Sequence, residues 1–297
     1  MSDRRKFIKT ASYVAASSLI VPTLGCDRAV KAAEITKEEA EIVSEVVAKN
    51  IGVQAYSVRD ALGKDFAGSM KKLADIGYKY IEAYGLEVDG KLLGMDPADY
   101  RKVVEDLGME MLATHCTYFT ADQAEQMRDA SLAAGVKYLI IPYLSDDMRD
   151  DYEAVAENLN HIGEALKGSG LTFGYHNHDF EFFPTADDRI PMEILIERTQ
   201  PELVTFEADL YWVTKGGADP MDLINKYPGR FNLFHVKDAN DALEQTTVGT
   251  GIVDFATILK AQQTSGWQYY FVEDERTDDP FGNLKGAFDY LNQADFG

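Results

Sequence analysis

Four of the five histidines in this sequence stand at or directly after the ends of short apolar runs. His115, His176 and His235 end or follow such runs, and His178 lies two residues beyond His176. The fifth, His161, lies in a segment of helical periodicity and is expected to be structural. Random placement would scatter the imidazoles, so this distribution favours a shared site.

Carboxylates stand at the ends of other apolar runs, at Glu82, Glu207, Asp209 and Glu273. Imidazoles and carboxylates that converge from neighbouring strands form a site for a divalent ion. Because the chain has only 2 cysteines, mixed nitrogen and oxygen ligands favour Mn, Co, Mg or Zn over a structural zinc bound by thiolates. The sequence therefore predicts one divalent metal ion.

Eight apolar runs alternate with amphipathic segments at roughly the 30-residue spacing of one strand, one crossover helix and their loops. This alternation is typical of a parallel sheet covered by helices, and eight units predict a single α/β domain over residues 51–297, the (β/α)8 or TIM barrel. The carboxyl ends of its strands would then carry the site. An open doubly wound sheet is the alternative, but no Gly-x-Gly-x-x-Gly motif follows the first run. The predicted strands are Ile51–Tyr56, Tyr80–Tyr84, Met109–Thr114, Tyr138–Pro142, Leu171–Tyr175, Leu203–Phe206, Asn232–His235 and Tyr269–Val272.

The charge balance limits the partners of the chain. Its 297 residues include 50 acidic and 29 basic side chains, a net charge of −21. With no basic stripe to neutralise a phosphate backbone, nucleic acid is not an expected partner. The 16 Tyr and 15 Phe residues supply apolar area that a disordered chain lacks.

The first 25 residues are predicted to be a signal peptide. Arg4 and Arg5, followed by Phe7 and Lys9, resemble a twin-arginine export signal. The moderately apolar run Ala11–Leu24 is too short to span a bilayer stably. We therefore expect an exported protein, either periplasmic or anchored to a bacterial membrane.

The run ends in Thr23-Leu24-Gly25-Cys26, which resembles a bacterial lipoprotein cleavage box. Cys26 would then carry lipid, the only membrane contact expected; the alternative is an ordinary cleavage site near an incidental cysteine. Residues 26–50 are predicted to form a tether and a short helix, because Thr36 and Glu39 have the spacing of a capping box.

Five motifs at the predicted strand ends resemble the xylose isomerase-like barrels known as sugar phosphate isomerases or epimerases. The resemblance covers nearly all of residues 51–297 and implies a sugar as substrate. The motifs are Gly52–Asp60, Tyr175–Phe182, Asp209–Trp212, His235–Asp238 and Gly249–Gly251.

The ketose 3-epimerase branch of that superfamily holds one divalent ion with a Glu after strand five, an Asp after strand six, a His after strand seven and a Glu after strand eight. Carried over by position, the resemblance implies Asp209, His235 and Glu273 as ligands. The sequence differs from this ligand pattern at strand five, because His176 stands where the epimerases have Glu. We expect His176 to be the fourth ligand or a base beside the metal, with His178 as a competing candidate.

The inferred chemistry is removal of a proton from a carbon next to a carbonyl, with the ion stabilising the resulting enediolate. Glu273 or His176 would be the base, and His178 or His115 would return the proton. Reprotonation gives epimerisation or isomerisation, whereas loss of a β-substituent gives elimination. The prediction is a metal-dependent isomerase or epimerase of an uncharged sugar or keto-sugar; the alternative is a lyase or dehydratase acting on 3-keto-glycosides or keto-polyols.

Four further residues are predicted to contact substrate: Tyr56, Arg59, Trp212 and Lys237. The alternatives are surface ion pairs for the two cations and a core position for Trp212. The loop over residues 249–251 has backbone N–H groups but no Lys or Arg to bind phosphate, so an uncharged substrate is expected.

Glu207 and Asp238 are expected to orient histidines, and Cys116 to fill apolar space. Two other functions share these features: a sugar-binding protein without catalysis, and an abasic-site endonuclease. The endonuclease would need a three-zinc cluster and a basic face, which the acidic composition opposes.

Overall fold

The protein is described here by a computed structural model over residues 51–294. The predicted signal peptide, the lipid site at Cys26 and the tether with its short helix lie outside these residues. Among the described residues, eight parallel strands form one closed barrel in which the last strand pairs with the first. The predicted (β/α)8 barrel is therefore confirmed. Its strands are β1 (Gly52–Gln54), β2 (Tyr80–Leu86), β3 (Glu110–Cys116), β4 (Tyr138–Ile141), β5 (Thr172–His176), β6 (Thr205–Asp209), β7 (Phe231–Val236) and β10 (Tyr269–Val272).

A small antiparallel hairpin follows β7 and was not expected from the sequence. It pairs β8 (Asp238–Ala239) with β9 (Gln245–Thr246). The helices that connect the strands are α1 (Arg59–Leu62), α2 (Phe66–Ile76), α3 (Pro97–Asp106), α4 (Ala124–Ala134), α5 (Tyr152–Leu166), α6 (Pro191–Arg198), α7 (Leu210–Lys215), α8 (Pro220–Lys226), α9 (Phe255–Lys260), α10 (Gln262–Ser265) and α11 (Pro280–Gln293). Within residues 51–294, no helix combines the length and the apolar character that crossing a bilayer requires.

Aspartate side chains begin most of these helices. In each case the carboxylate accepts a backbone N–H from the first turn, which satisfies one of the donors that a helix start leaves unpaired. Part of the acidic excess therefore supports folding. The capping residues are Asp65, Asp96, Asp151, Asp209, Asp219, Asp254 and Asp279.

Several strands extend further toward their carboxyl ends than the apolar runs predict. β3 includes His115, and β5 includes His176. The sixth strand was predicted over Leu203–Phe206, but pairing continues to Asp209. The apolar pattern stops early because the last inward-facing side chains belong to the site, whereas the backbone pairing continues to the rim.

The first strand is shorter than predicted. β1 ends at Gln54, whose side-chain oxygen accepts the N–H of Tyr56 at 3.0 Å. This hydrogen bond starts a 3-10 turn over Ala55–Val58, so the chain leaves the sheet before Tyr56.

The interior of the barrel below the site is apolar. A buried cluster fills it with side chains from β3, β4, β7 and β10, and on three of these strands it lies two or three residues before the polar residues His115, His235 and Glu273. Such close packing supplies the main stabilising term of the fold. The cluster consists of Leu112, Ala113, Tyr138, Ile140, Leu233 and Phe271.

We expect Gly52→Ala to destabilise the fold by about 1–3 kcal/mol, because the new methyl group would overpack the seam between β1 and β10. A Cβ at Gly52 would lie 2.5 Å from the Phe271 ring and 2.8 Å from the Tyr270 carbonyl oxygen. Urea unfolding followed by circular dichroism measures the change. Gly63→Ala is the matched control, since a Cβ there meets no atom closer than 3.6 Å; equal stability of the two variants would contradict the prediction.

Candidate metal centre and active site

The predicted site residues lie buried at the carboxyl ends of the barrel strands. His176 ends β5, Asp209 ends β6, His235 lies on β7 and Glu273 directly follows β10. None of the four is more than 5% exposed. Residues far apart in the sequence therefore meet at one rim of the barrel.

These residues fall into two groups that share His235. The carboxylate group consists of Asp209, His235 and Glu273; the imidazole group consists of His115, His176, Glu207 and His235. In each group the possible ligand atoms lie within 4.8 Å of one another. Three of the four predicted ligands therefore share the carboxylate group, whereas His176 belongs to the imidazole group.

His235 is in contact with carboxylates on both sides of its ring. Nε2 lies 2.6 Å from Oε2 of Glu82, and Nδ1 lies 3.2 Å from Oε2 of Glu273 and 3.7 Å from Oδ2 of Asp209. Burial lowers the pKa of His235, but the surrounding carboxylates, Glu207 foremost, outweigh burial and raise it well above its usual value. The raised pKa favours the doubly protonated, positively charged ring when no other cation is bound nearby.

Glu207 is the centre of the imidazole group. Its Oε2 atom lies 2.8 Å from Nε2 of His115 and 3.3 Å from Nδ1 of His176. Burial would raise the pKa of Glu207, but the attraction of His235 and a hydrogen bond from His115 hold it well below its usual range. For His176, burial and then His235 lower the pKa to about 4.

Lys237 is a fully buried cation rather than a member of a surface ion pair. Its Nζ lies 3.1 Å from Oε2 of Glu273 and 3.7 Å from Oδ2 of Asp209, and it also contacts the Glu275 carboxylate. Burial lowers the pKa of Lys237, but these carboxylates, Glu273 foremost, outweigh burial and raise it above its usual value. Nζ also lies 4.8 Å from the centre of the half-buried Trp212 ring, a cation–π distance.

His178 lies among aromatic rings at the mouth of the site. Its ring stacks on Phe180 with 5.7 Å between centroids, and the centroid of Trp212 lies 5.2 Å away. Burial, and then the neighbouring His176, lower the pKa of His178 to about 2. The imidazole of His178 is therefore neutral.

An open cavity of about 430 Å³ lies above the two groups. Its lining brings together three imidazoles, three tyrosines and three carboxylates, without Lys or Arg. Arg59 is directed elsewhere and donates to the backbone oxygens of Tyr56 and Glu275. The lining residues are Tyr56, Tyr84, Gly85, Glu87, His115, Cys116, Thr117, Pro142, Tyr143, His176, His178, Glu273 and Glu275.

Asp238 was expected to orient a histidine, but it holds a loop instead. Its carboxylate accepts the backbone N–H groups of Ala239, Gly249, Gly251 and Val253, at 2.9 to 3.2 Å. These donors therefore face a carboxylate of the chain itself rather than a phosphate. Glycine is required in this loop, because a Cβ at Gly251 would lie 2.1 Å from the carbonyl oxygen of Ala239.

Glu82 was identified from the sequence only as a carboxylate at a strand end, without a predicted role. The Glu82 side chain is fully buried on β2, and burial, followed by repulsion from Glu207, raises its pKa to about 7.

Cys116 and His161 take no part in these contacts. Cys116 is buried with Sγ donating to the Ile140 carbonyl oxygen, and His161 is exposed on α5.

Within the two groups and Glu82, four buried polar atoms have no hydrogen-bond partner among the described residues. They are Oε1 of Glu82, Nδ1 of His176, Oε1 of Glu207 and Oδ2 of Asp209. Leaving such atoms unsatisfied in a protein interior is costly. Imidazole nitrogens and carboxylate oxygens are the ligands that Mn, Co and Zn accept, so the residues present fit a divalent ion.

The fold and this site define the class of protein. Residues 70–294 match the family model described as xylose isomerase-like TIM barrel, and the chain belongs to that family.

Three similar proteins each cover most of the chain. An inosose dehydratase from Geobacillus kaustophilus is 23% identical, over 75% of this chain and 85% of that protein. The crystal structure of a sugar phosphate isomerase/epimerase from Parabacteroides distasonis superposes with a TM-score of 0.73 and 26% identity, over 84% of this chain and 97% of the other. A probable 3-DHS dehydratase from Bacillus anthracis has a TM-score of 0.63 at 15% identity, over 83% of this chain and all of that one, and shares the fold.

We expect Asp238→Ala to lower the free energy of unfolding by about 3 kcal/mol, since it removes the acceptor of four backbone N–H groups. Urea unfolding measures the loss. Asp241→Ala, an exposed aspartate in the same hairpin, is the control and should change stability by less than about 0.5 kcal/mol. Similar values for the two variants would refute this role of Asp238.

Proposed function

We propose that this protein is a divalent-metal-dependent dehydratase of an uncharged keto-polyol or keto-sugar. The observation that carries the proposal is the buried carboxylate group beside a cavity that three imidazoles line. The similarity to an inosose dehydratase over most of both chains supports the same reaction class. The bond broken would be a carbon–oxygen bond β to a carbonyl.

Asp209, His235 and Glu273 would hold the ion, which is Mn, Co, Mg or Zn, while His176, predicted as a fourth ligand or a base beside the metal, belongs to the imidazole group. When bound there, a divalent ion acts as a Lewis acid that makes the carbon next to a substrate carbonyl more acidic. Lys237 lies between Asp209 and Glu273 and adds a fixed positive charge on the same side. Negative charge that develops on the substrate is therefore met by cations.

The remaining steps are assigned to side chains that line the cavity. Glu273 takes the proton from the carbon next to the carbonyl, while its Oε2 accepts a hydrogen bond from Nζ of Lys237. The electron pair of that C–H bond forms the carbon–carbon double bond as the β-hydroxyl departs. Burial lowers the pKa of His115, but the charge of Glu82 and the hydrogen bond to Glu207 outweigh burial and raise it, so His115 donates a proton and the hydroxyl leaves as water. His178, the other predicted donor, is neutral and suits a hydrogen bond to a substrate hydroxyl rather than proton donation.

The cavity lining supports an uncharged substrate. The side chains of Glu87 and Glu275 add negative charge beside Glu273, and no lining residue is Lys or Arg. A phosphate group away from the metal centre would therefore meet like charge from Glu87 and Glu275, with no lining Lys or Arg to offset it. Tyr56, Tyr84 and Tyr143 supply ring faces and hydroxyl groups that suit a polyol.

A second candidate is an isomerase or epimerase of an uncharged keto-sugar. The observation that favours it is the similarity to the Parabacteroides distasonis structure, which covers 97% of that chain. The position of His176 argues against this candidate. Epimerisation by two carboxylates on opposite faces of the substrate would need one of them at the end of β5, where this chain has His176. The same proton abstraction serves both candidates, so they differ in the fate of the enediolate.

Product analysis separates the two candidates. The manganese-loaded protein is incubated with inosose and a panel of keto-sugars in heavy water. A dehydratase yields a product lighter by one water that absorbs in the ultraviolet as an unsaturated ketone. Deuterium incorporation with no loss of water would instead establish the isomerase or epimerase, and turnover with neither change would reject both.

The Glu273→Gln variant is the internal test of the assigned base. Loss of a positioned base lowers kcat by about 10²–10⁴-fold. Glu110→Gln, the same substitution at an exposed position where β3 begins, should retain wild-type turnover. Undiminished activity in Glu273→Gln would exclude this residue as the base.

We also propose that the protein is exported and carries lipid on Cys26, as the segments around Arg4, Arg5 and Cys26 predict. Cys26→Ala should move the protein from the membrane fraction to the wash after cell fractionation. Mass spectrometry of the mature amino terminus gives the independent measurement. An unmodified cysteine in membrane-associated protein would overturn the proposal.

A further inference from the structure

The tautomer of His235 decides which of the two groups can bind an ion. Its two ring nitrogens face different carboxylates, Nε2 toward Glu82 and Nδ1 toward Asp209 and Glu273. A neutral imidazole carries hydrogen on one nitrogen and a lone pair on the other, and only the lone pair can ligate a metal. If Nε2 ligates, the ion belongs to the imidazole group; if Nδ1 ligates, it belongs to the carboxylate group.

Glu82 makes the shortest contact with this ring. Its Oε2 lies 2.6 Å from Nε2 of His235, whereas Oε2 of Glu207 lies 3.3 Å away. The same Glu207 atom is already engaged by Nε2 of His115 at 2.8 Å. Glu82 is therefore the acceptor that the distances select for a hydrogen on Nε2.

The position of Glu82 suits an orienting role. Its strand, β2, pairs with β1 and β3 and not with β7, so the carboxylate approaches His235 across the interior of the barrel. Both side chains are fully buried. Neither water nor another rotamer then competes readily for this contact, and a buried carboxylate so close to an imidazole fixes the orientation of the ring.

We infer that Glu82 is a positioning residue that accepts the Nε2 hydrogen of His235, directs the Nδ1 lone pair toward Asp209 and Glu273, and so places the metal ion in the carboxylate group. This inference rests on the proposed function, because it presumes that the chain binds a divalent ion. Metal-bound histidines commonly donate their second N–H to a carboxylate, which fixes the tautomer and strengthens the ligand. Glu82 would be the carboxylate that accepts this second N–H, and it would not contact the ion.

Manganese affinity tests the inference without measuring turnover. Metal-free wild-type protein, Glu82→Gln and Glu82→Leu are titrated with Mn²⁺, and the free ion is followed by electron paramagnetic resonance. Glu82→Leu should bind Mn²⁺ about 10–100-fold more weakly than wild type. Glu82→Gln, which retains a neutral acceptor oxygen, should fall between them, and this graded recovery distinguishes an acceptor from a side chain that only fills space. Glu110→Gln should bind as wild type does.

The tautomer itself is observable in the wild-type protein. With Zn²⁺ bound, long-range ¹H–¹⁵N correlation of the His235 ring should show hydrogen on Nε2 and none on Nδ1, with the signals assigned by their loss in His235→Asn. Hydrogen on Nδ1, or wild-type Mn²⁺ affinity in a natively folded Glu82→Leu variant, would overturn the inference alone. If wild-type protein binds no Mn²⁺ or Zn²⁺, the proposed metal-dependent function fails as well.

Discussion

Burial of charge at one rim of the barrel is the constraint on which the site depends. The carboxylates of Glu82, Glu207, Asp209 and Glu273 are at most 5% exposed and lie within reach of one imidazole, that of His235. Isolated charges in such a place would be strongly destabilising unless paired. Lys237 and the imidazoles supply part of the compensation, and a divalent ion would supply the rest. The stability of this rim therefore depends on how completely its buried carboxylates are compensated.

Two layers of the barrel divide the tasks of packing and chemistry. Ala113, Leu233 and Phe271 fill the interior below, while His115, His235 and Glu273 lie two residues further along the chain in each case. Since alternate side chains of a strand face the same side, a rigid apolar layer fixes where the polar layer must stand. The loop beyond it is fixed differently, through the hydrogen bonds of Asp238 to backbone N–H groups.

This division explains how much of the molecule the sequence predicts. Eight apolar runs specify the barrel, and Asp209, His235 and Glu273 could be located because each stands where such a run ends. The contact of Glu82 with His235 spans 153 positions and crosses the barrel interior, so no local spacing signals it. The hydrogen bonds of Arg59 to the backbone oxygens of Tyr56 and Glu275 are likewise invisible in the local sequence, because one of the partners lies 216 positions away.

His176 gives the site its particular character. A glutamate at the end of β5 would add a fifth buried carboxylate to a rim that Lys237 alone balances with a permanent charge. The neutral imidazole avoids that repulsion and lets Nδ1 approach Glu207 at 3.3 Å. It also leaves Glu273 as the one carboxylate of the carboxylate group that lines the cavity. A base on a single face suits removal of one proton followed by loss of a leaving group, whereas inversion at carbon needs a proton donor on the opposite face.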